Sequence, residues 1–97
     1  LGEKLTADKA LTMGMVNRVF PDETLRQDGL AFAHEVAERS PLALRYTKAA
    51  VNFGQTHSLD ETISREATLQ AICINSDDAK NAVISFFNKQ KPQWKGQ

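Results

Sequence analysis

Apolar residues recur along this chain at steps of three and four, and polar or conformationally special residues break the recurrence into five stretches. Thr6 suits the N-cap of a short helix from Ala7 to Met13, and Gly14 suits a left-handed stop. Met15 to Phe20, MVNRVF, is rich in β-branched and apolar residues and ends at Pro21, so it reads as a short extended segment. Asp22 offers a cap for a long helix whose face carries Leu25, Gly29, Phe32, Ala33, Val36 and Ala37. Glu35 and Arg39, four apart, form a weak supporting pair on its surface.

Ser40-Pro41 marks the next start, because serine caps and proline fits the first helical position. The helix it opens, Leu42 to Phe53, ends at Gly54 and has a basic side at Arg45 and Lys48. After the loop Gln55-Thr56-His57, Ser58 and Glu61 form the spacing of a capping box. Their helix runs to about Ile74. A last helix begins around Asn75-Ser76-Asp77-Asp78, with acidic residues at its positive dipole end. Ala79, Ala82, Val83, Phe86 and Phe87 give it the cleanest amphipathic pattern in the chain, and Lys91-Pro92 ends it before a short tail with Trp94. The expected fold is mainly α: about five helices with short loops, at most one extended segment (Met15-Phe20), all in a single region spanning 1–97.

Composition narrows the class. A chain of 97 residues holds at most one small core and buries roughly 60–65% of its unfolded surface. Lysine plus arginine equals aspartate plus glutamate at 12 each, so no broad nucleic-acid or membrane-surface interaction is expected. The single cysteine, Cys73, excludes an intramolecular disulfide and a paired-cysteine zinc site, and fits a reducing, cytoplasmic setting. No apolar run approaches the roughly 20 residues that span a bilayer. No leader is visible and the chain opens without methionine, so it reads as a fragment or a processed piece.

Candidate chemistry is sparse. His34 and His57 lie far apart and in no metal-binding spacing, so no metal site is expected. Cys73 sits among Leu69, Ile72 and Ile74 and reads as a small buried apolar residue. Asp60-Glu61 and Asp77-Asp78 are adjacent on helices, where neighbours diverge by about 100°, and dipole stabilisation explains both pairs. No catalytic residue is expected. The tail is more informative. Phe86 and Phe87 precede Lys89, Lys91 and Lys95, which is either a core-facing aromatic pair with a solvated basic end, or an anion site beside an apolar surface.

Four ordered stretches resemble a known family. Leu1-Gly2-Glu3-Lys4-Leu5-Thr6-Ala7 is similar to L-T-G-x-x-I-S-A, with leucine in the usual threonine place. Ala10 to Pro21 resembles A-x-x-x-G-L-V-N-x-V-V-P. Ser40-Pro41-Leu42-Ala43-Leu44 with Lys48 resembles S-P-x-A-[LV]-x-x-x-K. Asp77 to Pro92 resembles D-A-x-E-G-x-x-A-F-x-E-K-R-K-P, with Asn81-Ala82 for E-G and Asn88 and Gln90 for E and R. The patterns are those of the crotonase (enoyl-CoA hydratase/isomerase) family, in its C-terminal helical region. The resemblance implies an acyl-CoA thioester substrate, no cofactor apart from coenzyme A as part of that substrate, and assembly into homo-trimers or hexamers. It implies that the oxyanion hole and the two acid–base glutamates of a hydratase precede this stretch. It also implies that Phe86 lines the acyl or pantetheine channel and that Lys89 faces a CoA phosphate. The expected function is therefore the C-terminal portion of an enoyl-CoA hydratase. The alternatives are the same region of an isomerase, or a stand-alone helical oligomerisation module.

Overall fold

The computed structural model describes residues 2–97. Leu1, the leucine in the usual threonine place, lies outside the described residues. Five α-helices and no strand are present among the described residues: α1 Ala7–Thr12, α2 Leu25–Ala37, α3 Pro41–Gly54, α4 Leu59–Asn75 and α5 Asp77–Phe87. The fold is mainly α. The chain divides into two compact units, Leu1–Val36 and Ala37–Gln97.

In the first unit the local chemistry of the sequence sets the helix ends. Thr6 Oγ1 accepts from the Lys9 N–H at 3.3 Å and caps α1. Gly14 has φ +72° and closes α1 in a Schellman arrangement: the Met15 N–H donates to Ala10 O and the Gly14 N–H to Leu11 O. Met15 to Phe20 follows as an unpaired segment rather than a strand. Asp22 does not cap α2. It lies inside a turn closed by the Thr24 N–H on Pro21 O, and the helix starts three residues later. Glu35 pairs with Arg18 at 3.7 Å instead of Arg39. The Arg18 guanidinium also stands 3.8 Å over the Phe32 ring, so an aromatic face and a carboxylate together outcompete the neighbour one turn on.

The second unit is built on α4, which packs against both α3 and α5. Ser40 caps α3 with Pro41 at its first position. The capping box of α4 is complete: Ser58 Oγ accepts from the Glu61 N–H at 3.3 Å, and the Glu61 carboxylate accepts from the Ser58 N–H at 2.9 Å and its hydroxyl at 2.6 Å. Between the two helices His57 stacks on Phe53 with ring centroids 3.5 Å apart, and its Nδ1 lies 2.8 Å from Phe53 O. A β-carbon at Gly54 would come within 3.1 Å of Thr62 Cγ2, so glycine permits this close turn. Ser76 serves two helices. Its hydroxyl donates to Cys73 O at the end of α4 and accepts from the Ala79 N–H at the start of α5.

Helix α5 is shorter than its sequence pattern suggests. It stops at Phe87, where the Lys89 N–H donates to Phe86 O and the Gln90 N–H to Ser85 O. This is again the Schellman pattern, now with lysine at the left-handed position (φ +53°). The face that packs inward is also not the apolar one. Asp78 and Ser85 are buried, while Val83, Ile84, Phe86 and Phe87 stay exposed, at 57%, 61%, 78% and 77%. Among the described residues Leu42 and Leu69 are the buried apolar side chains.

Two outcomes test this architecture. Leu69→Ala should lower stability by about 2–3 kcal/mol in denaturant melts, because Leu69 is central to a small core. A loss below about 0.5 kcal/mol would mean that α4 is not the hub. The second concerns the capping box. The hydrogen bonds from Ser58 hold the Glu61 carboxyl below its ordinary range. A depressed folded value gives stability that is present above the unfolded pKa and lost as pH falls through the folded one. Acidification below the ordinary glutamate range should therefore fray the start of α4, read as faster amide exchange at Glu61 and Thr62. Glu61→Gln should flatten that pH response. An unchanged response in the variant would assign it to another group.

Candidate functional site

The two residues singled out by resemblance lie at the C-terminal end of α5. Phe86 and Phe87 occupy its last turn, with ring centroids 5.8 Å apart at 77°. Both rings are largely exposed, so the expectation of a core-facing phenylalanine pair does not hold. Lys89 is exposed and sits just past the helix, tied to it by its own N–H on Phe86 O at 3.1 Å. The αL backbone here comes from chain reversal, since the next residue must turn back toward Ser85 O. A β-carbon in this conformation costs roughly 1 kcal/mol. The end of α5 therefore carries an exposed, edge-to-face aromatic pair followed by an exposed lysine, at the negative end of a helix dipole.

Two nearby lysines are paired elsewhere, whereas Lys95 enters no ion pair among the described residues. Lys80 is 3.0 Å from Asp77 Oδ1, and this hydrogen bond holds the Asp77 carboxyl below its ordinary range. Lys91 is 3.3 Å from Glu38. Among the described residues no ion pair involves Lys89.

The carboxylate pairs do not converge. Glu61 is held by its cap. Asp78 is 2% exposed and accepts the Lys95 N–H at 2.7 Å and the Gly96 N–H at 2.9 Å, one on each oxygen. Helix-dipole stabilisation alone does not describe this residue: its partners come from the C-terminal tail. Nothing in the local sequence marks such a pairing, because the partners are backbone groups 17 and 18 residues away. His34 is exposed on α2. Among the described residues no three His, Cys, Asp or Glu side chains are grouped as a metal site would require.

Cys73 is half-buried rather than buried. It lines a groove of about 240 Å³ between α3 and α4, with Tyr46, Val51, Thr62, Glu66 and Leu69. A second hollow of about 490 Å³ lies along α5 and the tail, lined in part by Asp78, Asn81, Ser85 and Lys91. Neither includes Phe86 or Lys89. No helix among the described residues is long and apolar enough to cross a membrane.

Comparison with known proteins follows this geometry closely. The family model described as enoyl-CoA hydratase/isomerase matches residues 1–97. A mitochondrial Delta(3,5)-Delta(2,4)-dienoyl-CoA isomerase from Dictyostelium discoideum is 36% identical over 95 residues, covering 97% of this chain and 32% of that protein. The 2,3-dehydroadipyl-CoA hydratase of Escherichia coli K12 is 32% identical, covering 98% of this chain and 37% of its own length. Among solved structures, an enoyl-CoA hydratase from Mycobacterium tuberculosis H37Rv superposes with a TM-score of 0.92 at 27% identity, covering 99% of this chain and 38% of that one. The chain thus spans about a third of the length of the relatives it matches. With a match along its whole length and relatives above 30% identity, the chain belongs to the enoyl-CoA hydratase/isomerase (crotonase) family.

Proposed function

We propose that this chain is the C-terminal helical portion of an acyl-CoA-processing enzyme that hydrates 2-enoyl-CoA thioesters. Its own contribution is subunit assembly and one wall of the substrate pocket. The observation that carries the reading is the end of α5: two exposed phenylalanines followed at once by a lysine with no carboxylate partner among the described ion pairs. Such a surface suits a ligand with an apolar arm and a phosphate, which is the chemistry of an acyl-CoA. Phe86 contacts the acyl or pantetheine arm and Lys89 a CoA phosphate. No cofactor is required beyond the coenzyme A of the substrate. The exposed apolar residues of α5 outside this wall are covered by other parts of the enzyme or by further copies in a homo-trimer or hexamer.

The isomerase reading rests on the 36% identity to a dienoyl-CoA isomerase. Both readings place the acid–base groups outside this chain, and its candidate carboxylates Glu61, Asp77 and Asp78 are engaged structurally. A cytoplasmic location fits the single half-buried thiol, and subcellular fractionation with an antibody to α5 checks it against a mitochondrial one.

Three results follow. The purified 97-residue chain should not hydrate crotonyl-CoA, whereas the full-length enzyme should; turnover by the chain above background overturns the assignment of catalysis elsewhere. In the full-length enzyme, Phe86→Ala should raise KM for acyl-CoA several-fold, corresponding to roughly 1–2 kcal/mol of lost contact. An unchanged KM removes Phe86 from the pocket wall. Lys89→Gly should weaken acyl-CoA binding by a salt-sensitive factor of about five, while raising thermal stability slightly because glycine relieves the αL conformation. Equal binding by the variant at low salt would exclude the phosphate contact.

A further inference from the structure

The ten residues after α5, 88–97, have no regular secondary structure yet return along the helix they leave. Gln93 O accepts from Asn81 Nδ2 at 2.6 Å. The Lys95 and Gly96 N–H groups reach the two oxygens of Asp78, and the Asp78 N–H donates to Gln97 O at 3.1 Å. Trp94 Nε1 donates to Glu38 O at 2.8 Å, and Lys91 pairs with the Glu38 carboxylate. The apolar side chains of this strap, Pro92 and Trp94, are only half-buried.

The strap is therefore held mainly by polar bonds, with little apolar burial behind them. Segments held in this way open at lower free energy than the helices they lie on. The origin of the strap is also strained, since Lys89 is the one non-glycine residue at positive φ among the described residues. That strain is tolerated while the docked strap requires it.

We propose that residues 90–97 form a latched strap, hinged at Lys89, which opens and closes as a unit while α3, α4 and α5 stay folded. Asp78 is the latch. It is the single side chain that takes two strap N–H groups, and burial makes the loss of either costly. Opening separates Lys91 from Glu38 and frees Lys89 from its left-handed backbone, so the strap sets where both ammonium groups stand.

Amide hydrogen exchange by NMR on the full 97-residue chain, with Trp94 fluorescence, tests this. Trp94 is the only tryptophan and reports the strap alone. In the unmodified chain, the amides of Lys95 and Gly96 and the Trp94 indole should exchange through one shared opening. That opening should be less dependent on denaturant than exchange at Leu69 in α4. Asp78→Asn sets an amide donor against one of the strap N–H groups. It should speed exchange at Lys95 and Gly96 by roughly tenfold or more and shift Trp94 emission to the red, with helicity by circular dichroism unchanged. Asn81→Ala, which removes only the bond to Gln93, should speed the same opening less. Exchange at Lys95 and Gly96 that tracks Leu69 in the unmodified chain would overturn the proposal, as would unchanged exchange in Asp78→Asn. If Asp78→Asn costs helicity, the unmodified chain decides, by whether its strap and α4 open separately or together.

Discussion

The course of the C-terminal strap depends on one buried carboxylate. Asp78 stands in the first turn of α5 at 2% exposure, where an unpaired charge would be costly. Two tail N–H groups satisfy it, one per oxygen, and the positive end of the α5 dipole adds to the same effect. No buried side-chain nitrogen or oxygen lacks a partner among the described residues. The consequence runs both ways. The helix start is neutralised by the tail, and a tail with little apolar surface acquires a fixed course. That course brings Trp94 to Glu38 O just before the Ser40 cap of α3. One carboxylate thereby ties the two ends of the unit's sequence together.

The apolar side chains pull in another direction. Among the described residues only Leu42 and Leu69 are buried apolar side chains, while Val51, Leu59, Ile63, Ile74 and the outer residues of α5 are more than half exposed. Helical periodicity here describes apolar faces that stay largely exposed in this chain. This resolves the apparent inversion of α5. Its polar residues Asp78, Asn81 and Ser85 turn toward the strap, and its large apolar ones stay exposed.

The helix beginnings were legible in the sequence wherever the signal was local. Thr6, Ser40 and Ser58 each cap through a bond to a backbone N–H three residues on, and the Ser58–Glu61 box is read from four letters. Gly14 was legible because few other residues enter αL without cost. Lys89 was not, since a lysine gives no sign that it will adopt the same conformation, and so α5 read as if it ran on to Lys91. Asp22 and Glu35 misled for a different reason. For Asp22 an equally local arrangement won, the turn closed by the Thr24 N–H on Pro21 O, whereas Glu35 pairs with Arg18, far outside the window of one turn. Asp78 was read as a dipole residue because its partners are remote backbone groups, which carry no side-chain signature. The candidate site stood in the sequence only through family resemblance: periodicity alone placed Phe86 and Phe87 on an apolar face without deciding what that face meets.

The departures from the family pattern in the tail acquire a physical order once the strap is drawn. Where that pattern has glutamate, this chain has Asn81, whose carboxamide donates to Gln93 O and accepts from Ser85. A carboxylate there could accept but not donate, and would face the carbonyl oxygen with like polarity. The strap's docking thus uses an amide where a charge would oppose it. Lys91 keeps its charge where Glu38 can neutralise it. Lys89 keeps its charge at the turn that the strap imposes, beyond the reach of those carboxylates in the described ion pairs. Charge is therefore absent at the Asn81 contact that closes the strap and retained at the exposed Lys89 and Lys95. The same bonds that settle the tail also settle Lys91 on Glu38 and leave Lys89 outside the described ion pairs.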